Sequence, residues 1–306
     1  MQSPKLLCAL LCALPALAPA QTTEKKLVKN AGQQYLGQTP PGMTAQVFAP
    51  GIVSNKDVYE YSNSFSKDGK EFFWAVIENN KPHIRYVRLG KDGWTEPVKL
   101  VHDPQYEHND PFLSPDGQKL FFISDRATDG KGPKKDFDIW YVKREKNGWS
   151  APVNAGPEIN SDKNEYYMSF TKGGKMYFSS NRGTDPAHDK NYDVYTVSAA
   201  GDAFNNRQKL GNAVNSEHYE ADVFVAPDEQ YVIFCGERPG GQGEGDLYIS
   251  FKDDKGAWQP AKNMGPAINT KEYEFCPFVS ADGKYLFFSR SGDIFWISTD
   301  VIKNLK

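Results

Sequence analysis

The chain has 306 residues and a formal net charge of −3, with acidic and basic side chains interspersed along it. No basic stripe exists to neutralise phosphates, which excludes nucleic acid as a partner. Aromatic residues make up 13% of the chain, a content suited to stacked β-faces, and the length is ample for one large all-β domain.

The opening MQSPKLLCALLCALPALAPAQ carries one lysine, an apolar run from Leu6 to Leu17 and an Ala18-Pro19-Ala20 exit. This is the form of a secretory signal peptide over residues 1–20, cleaved after Ala20, and it points to a periplasmic or secreted protein. The run is too short for a membrane span. Cys8 and Cys12 each follow a leucine inside it, a poor context for lipid attachment. Residues 21–41 are polar and read as a flexible lead-in, and residues 42–306 read as one folded unit.

From there one phrase recurs five times: a short strand ending in a turn, an aromatic strand, then a third strand opening on Asp. The strongest copies are FLSPDGQKLFFISDR with DIWYV, SFTKGGKMYFSSNR with DVYTV, FVAPDEQYVIFCGER with DLYIS, and FVSADGKYLFFSR with DIFWIS. SFSKDGKEFFW with IRYV is the weakest. Equivalent turn positions are Asp68, Asp116, Gly173, Asp228 and Asp282, a period that suits four short strands per unit. A fourth strand is read from GWTEPVKL, GWSAPVNAG, FNNRQKLG and AWQPAKNMG, but nothing equivalent follows the last copy. Instead AQVFAPGIVSNKDVYEYSNSF aligns with APVNAGPEINSDKNEYYMSF, so the N-terminus supplies an orphan strand. Pairing it into the last unit removes open sheet edges. The expected fold is all-β, a five-bladed β-propeller of four-stranded antiparallel blades, with the last blade closed by the N-terminal strand.

The repeats SPDGQKLFFISDR with DIWYV, and PVNAGPEINSDKNE feeding the next copy, resemble the WD40-like propeller repeat of the TolB-type family of bacterial envelope proteins. The resemblance covers residues 45–306. It implies a binding or scaffolding propeller.

Eight residues before the turn positions stand Glu60, Glu165, Glu220 and Glu274, with His108 in the second blade. Five residues earlier stand Asn55, Asn160, Asn215 and Asn269, with Asp103 in the second blade. The joint swap suggests that each pair touches, an amide or imidazole donating to a carboxylate. Lying on loops before the innermost strands, these acids are expected around one mouth of a central channel, where converging acceptors can bind a cation, a basic peptide or a sugar. Arg126, Arg182, Arg238 and Arg290 end the second strands, and Asp138, Asp193, Asp246 and Asp293 open the third. Blade one lacks both, which favours an Arg–Asp clamp across each hairpin, the alternative being that each Arg reaches the Glu ring.

Departures from the repeat are the better functional candidates, because local folding needs recur in every blade. Glu107 beside His108, His218 before Glu220, and Glu272 before Glu274 lie on the mouth loops. Longer loops follow in blades two to four, ATDGKGPKKDF, GTDPAHDKNY and PGGQGEG. Their Asp129, Asp136, Asp185, His188 and Asp189 show no ligand spacing for a metal, and no cofactor is expected. Cys235 and Cys276 lie in adjacent blades and read either as buried thiols or as a disulfide. No GxSxG, HExxH or P-loop occurs, so no catalytic residue is assigned. The expected function is a monomeric, non-enzymatic binding or scaffolding module for an envelope protein or glycan. The alternative is a carbohydrate-active hydrolase or lyase that uses Glu60, Glu165, Glu220 or Glu274 as its acid pair.

Overall fold

In the computed structural model, which describes residues 34–101, 103–183 and 191–306, the chain forms five antiparallel sheets arranged as a five-bladed propeller. The signal segment, its cleavage site, and Asp185, His188 and Asp189 lie outside the described residues. Among the described residues no helix is long and apolar enough to cross a membrane.

The innermost strands are Tyr59–Phe65, Asn109–Leu113, Glu165–Phe170, Tyr219–Val225 and Phe275–Val279. Each pairs with a second strand (Glu71–Glu78, Lys119–Ser124, Met176–Ser180, Tyr231–Glu237, Tyr285–Arg290), which in turn pairs with a third (Lys81–Gly90, Asp138–Glu145, Asp193–Ala200, Asp246–Phe251, Asp293–Ser298). Period-2 side chains bury both faces of the second and third strands between blades, which is why these runs are almost continuously aromatic and β-branched. The outer strand is a continuous Ala203–Lys209 in blade three but breaks into two-residue pieces in blades one and two.

The turn phrase has a direct chemical basis. In Ser66-Lys67-Asp68-Gly69 the Ser66 hydroxyl donates to Asp68 Oδ1 at 2.7 Å, and Ser114–Asp116 and Ser280–Asp282 repeat the bond at 2.6 and 2.7 Å. Gly69, Gly117 and Gly283 follow with φ of 68°, 70° and 71°, a left-handed conformation that glycine adopts without a Cβ penalty.

Blade five is closed by the N-terminal strand. Gln46 and Val47 pair with Trp296 and Phe295, and the Phe48 N–H donates to Ile294 O at 2.7 Å. Phe48 is fully buried and meets Phe65, Phe72, Phe287 and Trp296 edge to face, with ring centroids 5.1–5.9 Å apart. The folded unit also starts earlier than the composition suggested. Residues 34–41 are docked: Tyr35 packs against Phe65, Tyr285 and Trp296, Leu36 is buried, and the Gln38 amide clips the closing strand through Val47 O and the Ala49 N–H. Polarity misleads here because the short segment docks through few apolar groups, Leu36, Pro41 and the half-buried Tyr35 ring, while Gln38 uses its polar end as a staple.

Replacing Phe48 with Ala empties the seam between blades five and one. The substitution is expected to lower unfolding free energy by about 3–5 kcal/mol, measured by urea denaturation.

Candidate functional site

The repeated acids are structural latches. Glu60, Glu165, Glu220 and Glu274 are fully buried. Glu165 accepts from the Ser161 N–H (2.9 Å), the Ser161 hydroxyl (2.6 Å) and Arg182 (2.9 Å). Glu220 accepts from the Ser216 N–H (2.8 Å), the Ser216 hydroxyl (2.6 Å) and Arg238 (2.9 Å), and Glu274 from Thr270 in the same two ways, with Arg290 at 3.5 Å. Each backbone N–H donates across to the preceding blade, to Gly292, Phe137, Tyr192 and Gly245 O respectively. The expectation that these acids present free acceptors at a channel mouth is corrected: the hydroxyl and N–H at the start of the loop and the guanidinium consume Glu165, Glu220 and Glu274, while Glu60 is equally buried and takes only the Asn55 donors.

The Asn positions do a different job from the one expected. Asn160, Asn215 and Asn269 each accept from and donate to the backbone of one residue in the preceding blade (Ile139, Val194, Leu247), a two-bond clip at 2.7–3.1 Å. Only Asn55 reaches its Glu, donating from its amide to Glu60 Oε1 at 3.4 Å.

The Arg–Asp clamps are corrected as well. Arg182, Arg238 and Arg290 turn to the Glu of their own blade and lie against the aromatic rings of its second and third strands, Arg290 at 4.1 Å from the Phe295 centroid. Asp138 is instead held by Lys135 (2.9 Å) and Asn154 (2.8 Å), Asp193 by Lys209 (2.6 Å), and Asp246 by Asn263 (2.8 Å) and the Gln242 N–H (2.6 Å). Asp293 lies opposite Arg290 in strand register, yet that guanidinium points to Glu274 and Ile268 O. Asp138, Asp193 and Asp246 are themselves buried and already taken by lysine, asparagine or backbone donors, so each guanidinium joins the buried Glu and the aromatic rings instead.

This also explains the swap in blade two. With His108 in place of Glu, Arg126 still needs a carboxylate and takes Asp103 at 2.8 Å. The covariation passes through the arginine, not through a His108–Asp103 bond. His108 is buried, burial pushes its pKa down to about 4, and its Nε2 has no partner among the described residues. Blade one, lacking the arginine, leaves Glu60 Oε2 unpartnered, and burial pushes Glu60 up to about 7 against the Asn55 donors.

The remaining mouth candidates are surface groups. Glu107 pairs with Lys134 (2.8 Å), His218 with Glu217 (3.7 Å) and Glu272 with Lys271 (3.8 Å). Asp129 caps its own turn through the Lys131 and Gly132 N–H groups, and Asp136 sits beside Lys135. The glycine-rich loop of blade four packs closely: a Cβ at Gly243 would lie 2.3 Å from Glu272 O. Cys235 and Cys276 are free, buried thiols.

A site that the repeated residues concealed lies on the propeller axis. Six residues before each turn position stand Ser62, Asp110, Tyr167, Asp222 and Cys276. Every one has a left-handed backbone, φ 43°, 50°, 35°, 54° and 50°, and the register of every innermost strand breaks at that point. The bulge turns the side chain off the blade face and toward the axis. There, groups from non-neighbouring blades meet: Cys276 Sγ lies 3.8 Å from Asp110 Oδ1 and 3.7 Å from Asp222 Oδ2, and the Tyr167 hydroxyl donates to Pro277 O at 2.7 Å. Burial, and for Asp110 the charge of Asp222, pushes both carboxyls well above the usual carboxylate range, and burial pushes the Cys276 thiol up too. Below them Phe112, Phe224 and Phe278 pack edge to face across the axis, with centroids 5.7 and 6.0 Å apart, so the cluster has an apolar floor.

Above it runs an arc of aromatic rings. Phe137, Tyr166, Tyr192 and Tyr219 touch in succession at 5.1–5.5 Å, and Tyr273, Phe275, Tyr61 and Tyr59 continue at 5.8–6.3 Å. The arc starts at Phe137 on the long loop of blade two and runs through blades three, four, five and one. The innermost-strand side of blade two interrupts the circle with Glu107 and Asn109. Among the described residues no group of three or more ligating side chains is spaced to hold a metal ion.

No family description and no curated protein matches the chain. Among solved structures it is similar to a putative TolB from Agrobacterium tumefaciens, at 16% identity and TM-score 0.52 over 78% of this chain and 72% of that one. The fold is that of TolB-type propellers. TolB from Acinetobacter baumannii is similar at 14% identity and TM-score 0.50, over 80% of this chain and 55% of that one. An oligogalacturonate lyase from Vibrio parahaemolyticus aligns at 13% identity and TM-score 0.43, over 81% of this chain and 67% of that one. At these identities the TolB-type likeness is one of fold alone.

Two substitutions test the latches. Arg238→Ala leaves Glu220 buried without its counter-charge and is expected to cost about 3–5 kcal/mol in urea denaturation. Because the folded pKa of Glu60 is raised, as are those of Asp110 and Asp222, wild-type stability should decline as pH rises from 4.5 through about 7, and in Glu60→Gln that decline should become shallower in thermal melts.

Proposed function

We propose that this protein is a secreted propeller of the bacterial envelope, released by cleavage after Ala20, that acts as a monomeric, non-enzymatic binding module for a protein or glycan ligand. The observation that carries this reading is the aromatic arc around the acidic axis, eight rings framing one face of the propeller, with Tyr59 still 42% exposed. Tyrosine rings present large, rigid contact area with a polar tip, the chemistry of recognition surfaces for sugar faces and extended peptides. Surface charges alternate around the rim, Glu107 with Lys134 and Glu272 with Lys271, and set register more than affinity.

Supporting binding over hydrolysis or elimination is the fate of the repeated carboxylates. An acid pair for glycoside chemistry must face an open cleft. Glu165, Glu220 and Glu274 spend their oxygens on hydroxyls, N–H groups and arginines, and Glu60 is fully enclosed.

Affinity capture from envelope extracts with the secreted protein, followed by the double variant Tyr59→Ala/Tyr273→Ala, tests the reading. Capture of a discrete protein or glycan that falls about tenfold or more in the variant supports it, on the usual scale for losing buried aromatic anchors. Unchanged capture removes the arc as the site. Release of reducing ends or unsaturated products from envelope glycans would favour the catalytic alternative.

A further inference from the structure

The axial cluster differs from the rest of the propeller in being asymmetric. Where the Glu and Arg positions each repeat one residue type in four blades, the left-handed position carries Ser62, Asp110, Tyr167, Asp222 and Cys276. Tyr167 is spent on Pro277 O, and the Cys276 thiol lies between the two carboxylates. That leaves two carboxylates and one hydroxyl, from blades two, four and one, gathered around the Cys276 thiol. No cation lies within ion-pair distance of either carboxylate among the described residues. The groups acting on Asp110 and Asp222 are each other, Ser62, Cys276 and the Tyr167 N–H, with Tyr61, Tyr166, Tyr219, Tyr273 and Cys235 around them, none of which carries a positive charge.

A second observation points to a ligand. The Ser62 hydroxyl is fully buried and close enough to Asp110 and Cys276 to act on their ionisation, yet it meets hydrogen-bond geometry with no partner among the described residues. A buried hydroxyl left this way is costly, and a donor placed between it and the carboxylates would satisfy all three acceptors.

Resting on the reading of this face as the ligand-binding mouth, we propose that the axial cluster binds the primary ammonium group of a lysyl side chain presented by a protein ligand. Three acceptors match the three donors of an ammonium, whereas a guanidinium would need a planar fork of acceptors. Asp110 and Asp222 retain only 7% and 8% exposure, which favours a slender alkyl ammonium over a sugar ring as the group that reaches them. The aromatic arc above gives that stem apolar contact and the cation a π-face on its way in. Because burial holds both carboxyls above the usual carboxylate range, an incoming ammonium favours their ionised forms, and binding should release protons to solvent.

The test is calorimetric titration of the secreted protein with Nα-acetyl-lysine methylamide. The controls are its Nε-acetylated form, glucosamine and calcium chloride. The free ammonium is expected to bind, and the Nε-acetylated probe, Asp110→Asn and Asp222→Asn each to weaken binding by about tenfold or more. Affinity should fall from about pH 8 to about pH 5 as the carboxyls take up protons, with proton release visible as a buffer-dependent heat. Both Asn variants remove a buried charge, and their circular dichroism and melting temperature should match or exceed wild type. Equal binding of the Nε-acetylated probe, a pH-independent affinity, or heat from calcium or glucosamine but not the lysine probe would each overturn the proposal. If the lysine probe fails while the Tyr59/Tyr273 variant still loses captured ligand, the binding-module reading stands and the ammonium site alone is rejected.

Discussion

One backbone irregularity, repeated five times, organises this molecule. In a regular innermost strand, side chains alternate between the two faces of the blade and none is aimed down the axis. The left-handed residue in each innermost strand breaks that alternation and delivers one side chain per blade to the centre. Holding a non-glycine residue there costs about 1–3 kcal/mol. Five such residues survive only because the blades around them are latched together. The axial cluster is therefore a product of the whole ring, since its contacts join blades two, four and five, with blade one supplying Ser62 and blade three Tyr167.

The latches explain what the repeat is for. At the seams ahead of blades three, four and five an Asn clips the third strand of the preceding blade, and a Glu takes a hydroxyl, an N–H and an arginine. These groups are buried and satisfied, so each seam excludes water and gains strength from its low dielectric surroundings. Blade two keeps the scheme by moving the acid to Asp103 when His108 occupies the Glu position, and blade one loses the arginine and leaves Glu60 half satisfied. Variation at the latches is thus compensated locally, which marks them as scaffold.

Much of the fold was legible because its signals are local. Ser-x-Asp-Gly turns bond within four residues, strand runs bury both faces, and the missing fourth strand of blade five could be matched to residues 45–53 by alignment alone. The repeat likewise picked out Glu165, Arg182 and their equivalents as paired positions. Their partners differ from the expectation because Asp193 is nearer along the chain, while the Arg182 guanidinium lies against Phe178 and Tyr195 and from there reaches Glu165. Asp110 and Asp222 escape a reading of the sequence, and Cys276 reads there only as a thiol, although the sequence holds a usable signal. They occupy the position where the five copies disagree most, two residues after the Glu or His that drew attention.

The amino-acid sequence by itself determined the number of blades, the closing strand and which positions repeat, because strand period, turn chemistry and buried aromatic content are properties of short segments. Only the tertiary structure decided which carboxylates are spent and which remain. That outcome depends on distances between residues as much as 166 positions apart, and on a change of backbone hand at single residues that no side-chain pattern records.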